Sequence, residues 1–69
     1  MMTYVKFYTY YTAFDTREIY GYISGYVNDK NGTPLAVIVT QNNTLKAIPL
    51  HKVHVISEQE YMDNASERY

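Results

Sequence analysis

The sequence predicts a small all-β domain that carries one short helix at its C-terminal end. Three features carry that expectation. Residues 3–56 are rich in β-branched and aromatic side chains, broken at intervals by Gly, Pro, Asn and Asp. Asn31-Gly32 and Asn42-Asn43 each stand between two apolar runs, as in tight hairpins. Ser57-Glu58-Gln59-Glu60 then has the form of a capping box and starts a helical pattern.

Taken in order, residues 3–12 form the first expected strand, since every residue there except Lys6 is β-branched or aromatic. Residues 13–18, with Asp15, Thr16, Arg17 and Glu18, read as a polar loop. Residues 19–28 form a second strand, with Gly21 and Gly25 inside it as markers of a bend or bulge. The Asn31-Gly32 turn leads to a third strand over 34–41, whose nearly continuous apolar run predicts the most buried position. A fourth strand spans 44–48. Pro49 is expected to end it and to open a single 3₁₀ turn with Leu50, His51 and Lys52. Residues 53–56 are the last strand. Ser57 is the expected N-cap, with Glu60 reaching back to its amide and Ile56 meeting Tyr61 as a hydrophobic staple. The helix is expected to start at Glu58 and run about two turns, fraying before Tyr69.

One domain is all that 69 residues allow. Residues 1–56 form its β part, and 57–69 are the helix and tail of the same domain. The expected core is Val5, Phe7, Ile19, Ile23, Val27, Leu35, Val37, Val39, Leu45, Val53 and Val55. A core of this size rarely supplies more than about 3–5 kcal/mol. With no Cys in the chain, disulfides and thiolate metal sites are excluded. Self-association remains a source of further burial.

Five strands, a polar loop after the first, two tight hairpins and a one-turn break before the last strand describe an SH3-like barrel. Within it, Gly25-Tyr26-Val27-Asn28-Asp29 leads into Asn31-Gly32, and Ala36-Val37-Ile38-Val39 follows. Ala47-Ile48-Pro49-Leu50 and Val53-His54-Val55-Ile56 complete a pattern over residues 21–56 that resembles the PRC-barrel family. The resemblance implies a non-catalytic module that binds proteins, in some relatives in RNA-processing contexts. Its motifs are mostly structural and specify fold better than function.

Charge and composition narrow the function classes. Net charge is −1 and the six Lys and Arg are scattered, unlike the concentrated positive field of a duplex-binding module. No apolar run approaches the roughly 20 residues of a membrane span. The N-terminal residues do not follow the plan of a signal peptide, so the expected location is cytoplasmic.

Nine residues are Tyr, seven of them within the first 26. Strand alternation puts Tyr4, Tyr8 and Tyr10 on one face with Lys6, and Tyr20, Tyr22 and Tyr26 opposite the face of Ile19 and Ile23. Lys is almost never fully buried unless paired, so this even-numbered face is expected outside. The six tyrosines are the candidate binding residues, because exposed aromatic patches usually contact something.

A catalytic constellation is not evident. Asp15, Glu18 and Asp29 lie in expected loops, and a small barrel filled by its own side chains leaves no cleft to hold paired acids. Ser24, Ser57 and Ser66 have no identifiable base partner. His51 and His54 lack a third ligand nearby and read as surface histidines, so neither metal nor cofactor is expected.

The leading expectation is a protein-interaction module that uses the tyrosine face or a sheet edge to bind a protein partner or its own copy. Its small, Cys-free, Asn- and Tyr-rich composition accords with an accessory protein of a phage or mobile element. The alternative is a single-stranded nucleic-acid-binding barrel that stacks bases on tyrosines, with Lys6, Lys46 and Lys52 at the phosphates.

Overall fold

The computed structural model describes residues 1–12 and 15–65, and the side chains of 1–9 and 16–65. Five strands form one antiparallel sheet: β1 (Tyr4–Thr12), β2 (Asp15–Asn28), β3 (Pro34–Thr40), β4 (Leu45–Pro49) and β5 (His54–Ile56). A 3₁₀ turn, Leu50–Lys52, joins β4 to β5, and helix α1 (Glu58–Ala65) follows. The order across the sheet is β4-β3-β2-β1-β5. The sheet is not closed: β4 and β5 stand at its two ends.

The turns form for local reasons. Asp29 Oδ1 accepts from the amides of Asn31 and Thr33, and Gly32 takes the positive φ that completes the turn. In the β3–β4 hairpin Asn43 takes φ 66° and its amide donates to the Thr40 carbonyl. Asn tolerates that conformation better than most residues.

β2 starts at Asp15, so most of the expected loop is strand. Thr16, Arg17 and Glu18 pair with Tyr10, Thr9 and Tyr8 in a long hairpin. Polar side chains are compatible with a strand wherever both faces are wet. Pro49 also belongs to β4, opposite Leu35. Proline is accepted there because its missing N–H would have pointed away from β3.

The core face holds Val5, Phe7, Ala36 and Ile38, all buried, with Ile19, Ile23, Ile48 and Val53 against them. Thr40 is buried on the same face, its hydroxyl bonded to that of Thr44 at 2.7 Å. Gly21 lies between Val5 and Thr40, where a Cβ would come within 2.7 Å of Ile38 Cγ2. A backbone approach that close requires glycine.

Six expected core residues lie elsewhere. Leu35, Val37 and Val39 are half-buried on the opposite face, because β3 buries its even positions, Ala36, Ile38 and Thr40. Val27 is 48% exposed because a bulge in β2 reverses its parity. Ile23 pairs with Ile38 and Gly25 with Val37, which leaves Ser24 as the extra residue, its hydroxyl donating to the Val37 carbonyl. Leu45, opposite Val39, is 68% exposed. Val55 pairs with Val5 but is also exposed, since β5 is a three-residue end strand with no neighbour beyond it.

Candidate interaction surface

The tyrosine face lies partly under α1. The helix starts where the Ser57 hydroxyl accepts from the Glu60 amide at 3.1 Å. Glu60 Oε2 turns to Lys6 Nζ, 3.4 Å away on β1. Tyr61 packs on Tyr4, ring centroids 4.5 Å apart. These contacts fix α1 over β1 and β2, with Ala65 buried.

Beneath the helix is a charged cluster. Lys6 Nζ lies 3.0 Å from Glu18 Oε2 on β2, and the Tyr20 hydroxyl donates to that same oxygen at 3.2 Å. The hydrogen bond to Glu18 raises the Lys6 pKa above its ordinary value despite some opposing desolvation. Burial, reinforced by the Glu18 charge, raises that of Tyr20. Lys6 is thus partly covered because it is paired.

The six candidate tyrosines do not form one patch. Tyr4 and Tyr22 are opposite one another and half-buried. Tyr20 is only 4% exposed, which corrects its expected outward exposure; the helix supplies the burial. Tyr8 is exposed and meets the His54 ring edge-on at 5.8 Å. Tyr26 is exposed, but the bulge at Ser24 pairs it with Ala36, on the other face. The Tyr10 side chain lies outside the described residues.

Two open features stand clear of the helix. The first is a groove beside the 3₁₀ turn, lined by Tyr8, Ile48, Pro49, His51, Lys52 and His54. It combines an aromatic ring with a Lys and two His, and among the described residues no carboxylate lines it. The second is the β3–β4 half of the outer face, beyond the helix. Pairing across the strands gives a row Ile56–Tyr4–Tyr22–Val39–Leu45 that spans the whole sheet. Gly25–Val37–Ala47 and Val27–Leu35–Pro49 form the next two rows. Those rows carry no charge. Leu45, Ala47 and Val27 are exposed within them.

The open β4 edge can be read from the ladder. The Thr40 amide donates to the Thr44 carbonyl, which makes Thr40 and Thr44 a hydrogen-bonded pair. Such pairs alternate with non-bonded ones. Lys46 and Ile48 therefore bond to β3, while the backbone groups of Leu45, Ala47 and Pro49 point away from it.

Catalytic geometry is not assembled by the candidate acids. Glu18 is tied to Lys6 and Tyr20, Asp29 holds its turn, and the Asp15 side chain lies outside the described residues. Among the described residues no group of three His, Asp or Glu could hold a metal ion. No described helix is long and apolar enough to cross a membrane. Comparison with protein-family models, curated proteins and solved structures finds no match for this chain.

The open surface was partly hidden in the sequence. Val37, Val39 and Leu45 look like core, and only the parity of β3 places them outside, as the bulge at Ser24 does Val27. The Gly25 that follows Ser24 was the available signal.

Proposed function

We propose that this chain is a non-catalytic, cytoplasmic protein-interaction module that docks a partner on the β3–β4 half of its outer face. One observation carries the reading: α1 covers the β1–β2 half, while the uncharged rows around Leu45, Val37 and Val27 stay open beside an unpaired strand edge. Contiguous exposed apolar surface of this kind usually marks an interaction site. The strand order, with a 3₁₀ turn before a last strand that returns to β1, supports an SH3-like barrel plan. The PRC-barrel likeness of residues 21–56 agrees with a binding module, and the composition with an accessory protein of a phage or mobile element.

The groove at the 3₁₀ turn favours a second reading. Tyr8 beside Lys52, His51 and His54 could stack a base and hold a phosphate of single-stranded nucleic acid. The two readings separate by mutation. Immobilised wild-type chain should retain a protein from a lysate of the source organism, and Leu45→Glu should lose it while Tyr8→Ala keeps it. The purified protein should then bind directly with the same pattern. Equal retention by wild type and Leu45→Glu would contradict the docking surface. Salt-sensitive binding of oligonucleotide, lost in Tyr8→Ala, would support the groove.

A further inference from the structure

We infer that the cavity at the hairpin end of the core face binds a small carboxylate with an apolar body. The site lies on the side of the sheet away from α1 and is independent of the outer-face docking surface. Between the β3–β4 hairpin and the β1–β2 pair, the unclosed sheet leaves a cavity of about 380 Å³. A volume of that order suits a small-molecule ligand. Its apolar wall is Phe7 and Ile19, opposite one another on β1 and β2. Its polar wall is Thr40, Thr44 and Lys46, which share the core-face parity of Ile38, with Asn42 in the turn.

The hydrogen bonds of the hairpin decide where the hydroxyl protons go. Thr40 Oγ1 accepts from the amides of Asn42 and Thr44, each at 3.3 Å. A hydroxyl has two lone pairs and one proton. With both lone pairs engaged, the Thr40 proton goes to Thr44 Oγ1, 2.7 Å away. Thr44 thus accepts from within the protein and keeps its own proton for an acceptor in the cavity. Beside it Lys46 supplies an ammonium with no ion-pair partner among the described residues, and Asn42 supplies a side-chain amide. The polar wall is a set of donors around one positive charge, and no described carboxylate lines it. One ammonium balances one negative charge. A doubly charged phosphate would leave its second charge uncompensated beside an apolar wall, which is costly. A carboxylate accepts from several donors at once and gains from the charge on one of them. Phe7 and Ile19 then cover the apolar remainder of the acid.

Benzoate and hexanoate, a flat and a linear apolar acid, are the probes. In an NMR titration of the full chain, at least one should give saturable shifts at the Thr44 and Lys46 amides and the Ile19 methyls. The matching amide, benzamide or hexanamide, keeps the body without the charge, and acetate keeps the charge without the body. Each should bind about tenfold more weakly, as expected for loss of a charge-assisted hydrogen bond or of apolar contact. Lys46→Met should weaken binding of the acid by about the same factor and leave that of the amide unchanged. Lys46 is exposed, so the variant should keep the fold. Lys52→Met should change neither. Absence of shifts at these residues with both acids would overturn the inference, as would an acid that binds Lys46→Met as tightly as wild type. Acetate or inorganic phosphate binding as tightly as the acid would also overturn it. Equal weakening by Lys52→Met would do the same, and would place the anion in the groove beside the 3₁₀ turn.

Discussion

Ile38 and Val37 are adjacent in sequence and have opposite surroundings. Ile38 is fully buried against Val5 and Phe7, whereas Val37 is half-buried on the outer face. Ile38→Ala should cost about 2–5 kcal/mol, the range for large-to-small changes in a core. Val37→Ala should cost under about 1 kcal/mol, closer to a surface substitution. Denaturant melts of the two variants check this, and a larger loss at Val37 would reverse the parity assigned to β3. The same pair shows what single residues reveal. In β1 a lysine sits among apolar residues, so Lys6 identified Val5 and Phe7 as inward. In β3 both parities are apolar from Leu35 to Val39, and the alternation carries no phase information. Ala36 faces the core because it stands two residues from Ile38 on the same strand.

At the scale of elements, α1 is the part that divides the outer face. Its start was legible, because Ser57 three residues before Glu60 is a local signal. Its seat was not, since Lys6 and Glu60 are 54 residues apart. The beginning of β2 was hidden for a related reason, as Arg17 and Glu18 look like loop residues until β1 is placed beside them. The charged cluster under α1 gives the domain an alkaline limit. Lys6 and Tyr20 both hold their protons more tightly in the folded chain than in the unfolded one. The unfolded chain therefore releases protons first as pH rises, and folding stability falls above about pH 10, where both groups ordinarily titrate. Below that pH the contribution of both groups is fully present. Melting temperature should drop steeply above about pH 10 in wild type and less steeply in Tyr20→Phe. Equal slopes would contradict the role assigned to the buried hydroxyl.

At the scale of the molecule, a five-stranded sheet of this order has two ends, and only one of them carries a strand long enough to matter. β5 has three residues, while β4 has five and borders the uncharged half of the outer face. Five strands were legible from turns and composition; their order across the sheet and its open end were not, because these depend on which strands meet in space and which face of β3 is buried. The central claim is that the β4 edge, with the uncharged rows beside it, is open in the single chain. Amide hydrogen exchange measured residue by residue along β4 tests it most directly. At high dilution Lys46 and Ile48 should be protected by β3, while Leu45 and Ala47 exchange freely. Leu45 and Ala47 protected as strongly as Lys46 at high dilution would mean that the edge is already covered within one chain, and would contradict the account.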